Sequence, residues 1–563
     1  MKNKKNASKS SEGTFLKILL LILSSVLFWL SNPNIFFVDG LGFLAWIHYL
    51  PVFYLIKKSK MSQAPLYGAL YGVLAYGLCG YWLNNFHPLG LIILCTGYLI
   101  ICALLFTVLK WAALISKKNG WLLQFLCVCA YEYLKTLGFF GISYGVTAYT
   151  QWKFLYLIQI CSLVGVFGLN LLVIFPSAFL FSLISKKRQK NKLINHVDSV
   201  RKSHISAYVK KEQELAENSL TLTYVCGAIW AGLFVFAMIY GNAAMRRPSS
   251  IQQVTFAAIQ NNESPWKDGI EEYSKNVKKL IHLTEEAQYL SSDIDFVVWP
   301  ETAVAPSIVY NYEYGKDIRR FQLMAQLLNF FDENNAVFVI GNSHEVEFKG
   351  ADKKYYNSAL VFESGKNVHP PEPGLYAKTK LVPFSESFPL KHTFPWFYVK
   401  LLNGGSYMWE KGDEYTVFDY RGLKFSTPIC FEDQFGSICR QMVLKGSRCI
   451  INLSNDSWSK SAACQHQHLA MAVFRSVENR IPSVRSTASG VSCIISPNGK
   501  IEKKAAEFCE AFVIGKVPVI NNEELTLYTR FGDLAGMAEV GLSALILIIQ
   551  SIIVIIKKIT KQS

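Results

Sequence analysis

The sequence predicts a multi-pass α-helical membrane domain joined to an extramembrane α/β domain, and three observations carry that prediction. The chain of 563 residues is 51% hydrophobic with a mean hydropathy of +0.22, too apolar for a soluble enzyme of this length. Apolar stretches long enough to cross a bilayer crowd into residues 1–245 and return after 538. The block 246–538 between them is polar, and short β-rich runs alternate there with helical patterns.

Taken in chain order, the apolar stretches run near Phe15–Leu30, Ile35–Ile56, Ala64–Leu83, Leu89–Ile115, Trp121–Phe140, Phe154–Ile184, Leu222–Tyr240 and Val540–Ile556. This predicts seven spans in residues 1–245 and an eighth in 539–563. The leading "MKNKKNASKS" resembles the basic start of a signal peptide, but no small-residue cleavage site follows and further spans come at once, which favours a retained span. Glu132 and Lys135, in the fifth stretch, are costly in lipid unless they are paired, face a polar cavity or lie near the outer end.

The lysines set the orientation. With a cytoplasmic N-terminus, the inner segments are "KKSK" (57–60), "SKKNG" (116–120), the basic stretch Lys186–Lys211 and the tail "KKITKQS", all rich in lysine. The opposite loops hold a single Lys, and only Arg246 and Arg247 run against the rule. The block 246–538 is therefore expected outside the cytoplasm. It carries 32 basic against 33 acidic residues, so the chain's net +16 resides in the inner loops. Such a distribution fixes topology and attracts anionic headgroups. It gives no basic face on a folded domain, which argues against nucleic acid as a partner.

Within that block, "DFVVWP" (295–300), "AVFVIGN" (336–342), "LKFSTPI" (423–429), "CIINLSN" (449–455) and "VSCIISPNGKI" (491–501) read as strands, the last with an Asn498-Gly499 hairpin turn. "IRRFQLMAQLLNFFDEN" from 318 and "CQHQHLAMAVFRSVENRI" from 464 read as helices. In "CQHQH", Cys464 and His468 share a helix face and His466 does not, and no third ligand follows at metal spacing. No metal and no cofactor are expected.

Three strand ends each deliver an unusual residue: Glu301 in "VVWPETAVAP", Lys378 with Glu386 in "YAKTKLVPFSESFP", and Cys430 in "STPICFED". Alone, each has an ordinary reading, Cys430 as one of 13 cysteines and a small buried hydrophobe, Glu301 as a turn residue. Together they are chemically coherent. A thiol must become thiolate to attack, and a Glu base and a neighbouring ammonium both promote that. The same Lys, with the backbone N–H after the cysteine, suits the oxyanion of a tetrahedral intermediate. The trio fits acyl transfer through a thioester. Spacing leaves open whether Lys378 or Lys380 is the lysine, because both point to one face of a strand.

The words "VVWPETA", "YYNSAL", "YAKTKLVPFSESFP", "ICFED" and "NLSNDSW", in that order, with "TLYTRFGD" before the last span, resemble the apolipoprotein N-acyltransferase family, a membrane-embedded branch of the nitrilase superfamily. The resemblance implies an α-β-β-α sandwich for 246–538. It implies Glu301 as general base, Lys378 as the charge stabilising the oxyanion and Cys430 as nucleophile. Glu386 stands as an accessory carboxylate. Phe431 and Glu432 occupy the family's Tyr-Glu, so the ring is kept and its hydroxyl lost. Asn357, Asn455 and Trp458 match positions that shape the pocket, and Trp266 an aromatic near it. The implied donor is a phospholipid, typically phosphatidylethanolamine, and the acceptor is the α-amino group of a diacylated lipoprotein. The implied location is a bacterial inner membrane, with the catalytic domain on the periplasmic side. Two alternatives share these residues: a membrane-tethered amidase using water as acceptor, which one anchoring span would serve, and an inactive lipoprotein-binding scaffold, which would not need the trio.

Overall fold

A computed structural model of the chain describes residues 2–86, 88–116, 119–199, 207–246, 252–264, 267–347, 353–388, 390–403, 408–520 and 524–560. The membrane part comprises α1 (Lys2–Ser31), α2 (Leu50–Lys58), α3 (Ala64–Cys79), α4 (Leu83–Phe86), α5 (Pro88–Ile115), α6 (Gly120–Leu134), α7 (Leu155–Ile158), α8 (Cys161–Ser199) and α9 (Ala207–Met245). Among the described residues, five helical segments are long and apolar enough to cross a bilayer: Gly13–Ser31, Leu89–Ile115, Cys161–Asn191, Asn218–Met245 and Leu534–Ile559. Gly120–Leu134 is apolar but shorter. The basic stretch expected at Lys186–Lys211 continues α8 and α9 as helix, with 200–206 outside the described residues.

The expected second span, Ile35–Ile56, is not one helix. Gly40 takes a positive φ, a 3-10 turn occupies Gly42–Trp46, and regular helix begins only at Leu50, with Pro51 in its first turn. The segment still traverses the bundle. Asp39 at one end pairs with Lys153 at 3.1 Å and with His466 of the globular domain; at the other end Lys57 lies over the Phe181 ring, far along α8. Glu132 and Lys135 are fully buried and paired at 3.1 Å. Tyr49 Oη and the Thr147 N–H donate to Glu132, and Lys135 Nζ donates to Tyr76 Oη and the Gly145 carbonyl. Pairing thus makes these charges tolerable at that depth.

The block after α9 is a sandwich. Strands β1 (Gln253–Gln260), β2 (Phe296–Val298), β3 (Val337–Val346), β4 (Lys354–Glu363), β5 (Gly374–Ala377) and, late in the chain, β12 (Ala511–Pro518) form a six-stranded sheet in the order β12-β1-β2-β3-β4-β5. A second sheet has the order β11-β10-β9-β8, from β8 (Ile450–Ser454), β9 (Ser483–Thr487), β10 (Cys493–Ile495) and β11 (Ile501–Lys504), while β6 (Phe418–Tyr420) and β7 (Leu423–Phe425) form a short hairpin. Strand alternation assigns the faces. Phe256, Ala258, Val298 and Val339 meet Ile451, Leu453 and Val484 of the second sheet in one core. Ala257, Ile259, Val297 and Phe338 pack outward on α10 (Ile270–Leu290) and α12 (Ile318–Glu333), which follows the short α11 (Ile308–Glu313).

The opposite outer layer is α14 (Gly436–Leu444), preceded by α13 (Pro395–Asn403), and α15 (Ala462–Asn479). Leu469, Val473 and Val477 of α15 share a core with Leu157, Ile158, Val166 and Leu169 of the membrane helices, so the sandwich rests directly on the bundle. α16 (Leu527–Phe531), capped by Thr526 accepting from Thr529 N, leads into α17 (Leu534–Ile559), which starts six residues before the expected Val540. Tyr528 of α16 packs on Gly165, where α8 kinks at φ 68; a Cβ there would lie 2.8 Å from the ring.

Candidate active site

Apart from Asn357, the site residues leave the end of a strand or the loop after it. β2 runs into Trp299-Pro300-Glu301, and Gly341 of β3 lets that turn close in: a Cβ on Gly341 would lie 2.2 Å from the Pro300 carbonyl oxygen. Asn357 is on β4, Lys378 follows β5, and Asn455 follows β8. Cys430 opens a 3-10 turn, Cys430–Gln434, after Ile429 bridges Leu453 of β8. Thr302, Phe384 and Cys430 all hold positive φ without being glycine (47°, 65° and 48°). Such conformations cost on the order of 1–3 kcal/mol each and persist where packing over-determines them.

The geometry gathers Glu301, Lys378, Glu386, Asn357 and Cys430 at one buried place. Lys378 Nζ donates to Glu301 Oε1 at 3.2 Å and to Glu386 Oε1 at 2.8 Å. Asn357 Nδ2 donates to the same two oxygens at 2.8 and 3.3 Å. The Asn455 N–H donates to Glu301 Oε2 at 3.0 Å, and Val382 N to Glu386 Oε2 at 2.8 Å. Burial alone would lower the Lys378 ammonium, but Glu301, Glu386 and Cys430 hold it well above its ordinary value. Burial, then the Glu301 charge, raises the Cys430 thiol, against Lys378, which lowers it. The sulfur thus sits beside a carboxylate and an ammonium that shift it in opposite directions.

Lys380 turns elsewhere. Its Nζ donates to the Gly138 carbonyl of the membrane domain at 2.7 Å and sits 5.2 Å from the Phe435 ring centre. The geometry thus separates the two lysines that spacing left equivalent. Glu432 faces away from the cavity: its Oε1 accepts from Tyr376 Oη, Thr379 N, Thr379 Oγ1 and Lys380 N, its Oε2 from Ile429 N, at 2.7–3.0 Å. It pins the loop carrying Lys378 to the loop carrying Cys430. Burial raises the Glu432 carboxyl, opposed by these donors.

A histidine that the sequence raised only as a metal ligand backs the cysteine from the other side. His468 Nε2 bonds Asp433 Oδ1 at 2.7 Å and the Cys430 carbonyl at 3.2 Å, and its Nδ1 bonds Asp456 Oδ1 at 3.0 Å. Arg485 donates to Asp433. Burial alone would lower His468, but Asp433 and Asp456 push it up to about 9. The acidic letters after Cys430 and the "ND" of "SNDSW" were visible, but only packing joins them to a histidine on α15. His466 goes instead to Asp39 and Glu507.

One cavity of about 870 Å³ unites these groups with the membrane domain. Glu301, Asn357, Glu386, Cys430, Phe431 and Asn455 line its polar end, and Leu89, Ile93, Gly97 and Ile101 of α5, with Phe140, line its apolar end. Trp458 lines it too and packs on Trp82 and Phe86 at 5.6 and 5.4 Å. Phe431 stacks edge-on to Phe435 at 5.0 Å. Trp266 lies outside the described residues.

The chain's similarities agree with this architecture. Residues 24–179 match the model of the apolipoprotein N-acyltransferase N-terminal domain, and residues 255–521 that of carbon-nitrogen hydrolase. Apolipoprotein N-acyltransferase 1 of Treponema denticola is 37% identical, covering 97% of this chain and 98% of the relative. Its Treponema pallidum counterpart is 36% identical (92% and 93%), and the apolipoprotein N-acyltransferase of Borreliella burgdorferi 28% (91% and 92%). With both domain types in order and near-complete coverage of these relatives, the chain belongs to the apolipoprotein N-acyltransferase family.

Proposed function

We propose that this bacterial membrane protein moves an acyl chain from a phospholipid, phosphatidylethanolamine foremost, through a Cys430 thioester to the α-amino group of a lipoprotein's N-terminal S-diacylglyceryl-cysteine. The observation that carries the reading is the single cavity with a thiol at its polar end and an apolar helix face at the other. A small-amide hydrolase has no use for that second end.

In the first step Glu301 takes the Cys430 proton and sulfur attacks the ester carbonyl. Lys378 and the peptide N–H after Cys430 hold the oxyanion. The carbon–oxygen bond breaks, the proton goes to the departing oxygen, and lysophospholipid leaves. In the second step the acceptor amine, deprotonated by Glu301, attacks the thioester. The carbon–nitrogen bond forms, the carbon–sulfur bond breaks and the thiol is restored. Glu386 keeps Lys378 charged while Glu301 is protonated. Asn357 orients both carboxylates, Asn455 and Trp458 shape the pocket, and Trp266 stands with them by resemblance alone. The loop charges support a periplasmic site and an inner-membrane location.

Purified protein given phosphatidylethanolamine alone should gain one acyl mass on the Cys430 peptide, labile to hydroxylamine. A diacylated lipopeptide should then discharge it, and an N-acetylated one should not. Release of free fatty acid at the same rate with or without lipopeptide would make the protein a lipid hydrolase instead.

A further inference from the structure

Glycine is, after proline, the least favourable residue in a helix interior, and in membrane helices it usually marks a close approach of two backbones. Gly68 and Gly72 of α3 fit that use. A Cβ on either would lie 2.2 and 2.1 Å from the Cys102 and Tyr98 carbonyl oxygens of α5. Gly97, in the middle of α5, does not: a Cβ there meets no atom within 4 Å. No packing partner accounts for it, and its open side faces the cavity that holds Cys430.

Its depth follows from the helix geometry. The start of α5 is held at the level of the site, because Asn85 Nδ2 donates to the Ser459 carbonyl at 2.6 Å and Phe86 packs on Trp458. From Leu89 the lining face descends through Ile93, Gly97 and Ile101 at one-turn intervals. At 1.5 Å per residue Gly97 lies about 12 Å below Leu89 and Ile101 about 18 Å. Ile92 and Ile100, which flank this face and also line the cavity, are 57% and 55% exposed, so the groove opens sideways to lipid.

We propose that Gly97 sets the length of the acyl chain the enzyme accepts, by leaving open the lower part of the groove that a long saturated chain must fill. This rests on the thioester reading above. A bulky side chain at this position closes roughly the last 6 Å of the groove, the reach of several methylene groups, without colliding with protein.

The test is the initial rate of Cys430 acylation, read by mass, from dipalmitoyl and didecanoyl phosphatidylethanolamine in the same detergent, for the full-length protein and its Gly97→Leu, Gly97→Trp and Leu99→Trp variants. Leu99 is an exposed α5 residue that does not line the cavity. The decanoyl-to-palmitoyl rate ratio should rise about tenfold or more in Gly97→Trp, by less in Gly97→Leu, and stay at the parent value in Leu99→Trp. A ratio within about twofold of the parent in both Gly97 variants, an equal loss of both donors across the graded pair, or the same shift in Leu99→Trp overturns the proposal. The parent reports separately on the underlying reading: if it acquires no acyl group at Cys430, the thioester step fails, whereas normal acylation with an unshifted ratio sinks only the role of Gly97.

Discussion

Among the described residues, two lysine–glutamate clusters have a lysine with no exposed side-chain surface, and they differ in the number of carboxylates. In the membrane bundle Lys135 meets one carboxylate, Glu132, and its other two hydrogen bonds go to Tyr76 and the Gly145 carbonyl. All three of the Lys135 ammonium's contacts thus lie within the bundle. In the sandwich Lys378 meets two carboxylates, Glu301 and Glu386, beside a thiol. On the proposed mechanism the second carboxylate is the difference that matters: Glu301 would gain the thiol proton while Lys378 stays paired with Glu386. A matched pair offers no such spare acceptor, because protonating its one carboxylate strands the lysine.

The sharpest way to break this comparison is to remove the charge itself. Lys378→Ala should abolish acyl-enzyme formation, as should Cys430→Ala, while Lys380→Ala, which loses its bond to Gly138 and its contact with the Phe435 ring, should retain most of it. Mass analysis of the Cys430 peptide decides; an inactive Lys380→Ala beside an active Lys378→Ala would move the assignment. Next comes the asymmetry between the two carboxylates. Glu301→Gln should slow acylation by about 10²–10⁴-fold, the usual loss of a general base. Glu386→Gln should slow it less, since it leaves the base in place, and equal losses would deny Glu301 its separate role.

For the membrane cluster the expected effect is on stability rather than rate. Glu132→Gln leaves Lys135 without its counter-charge and should cost about 3–5 kcal/mol, read as a lower thermal midpoint in detergent. An unchanged midpoint would mean the pair is not holding the bundle. The smallest effect concerns His468. Its folded value of about 9 exceeds its ordinary 6.5, so its contribution is complete below pH 6.5 and is lost as pH rises toward 9. Unfolding measured across that window should show stability falling by up to about 3 kcal/mol, and His468→Gln should flatten the dependence. Reporter fusions after Lys58, Lys186 and Gly365 check the side of the membrane: only the last should lie outside the cytoplasm.

Glu301, Lys378 and Cys430 were legible as a set because three strand-like runs each end on a chemically unusual residue, and Glu386 because it shares a motif with Lys378. Glu432 was legible as a position but not as a brace, since its five donors come from residues 376–380 and 429. The His468 network was not legible at all. Asp433, Asp456, His468 and Arg485 lie on four different elements, and no periodicity links them. A continuous helix over Ile35–Ile56 was expected because mean apolarity does not register the positive φ at Gly40 or the 3-10 turn Gly42–Trp46, which delay regular helix to Leu50.

What the sequence determined by itself is local or additive: apolar runs that must leave water, lysines that sort loops to one side, strand alternation and the chemical identity of the trio. What only the tertiary structure decided is which groups meet. It separated Lys378 from Lys380, which on an isolated strand point the same way, by sending one to Glu301 and the other to Gly138. It also joined the thiol's chamber to the face of α5 that carries Gly97. The physical reason is that strand and helix patterns follow from interactions between near neighbours in the chain, whereas the site is made by two sheets and a helix bundle closing on one another, and the side chains that meet there are brought together by burial, not by spacing.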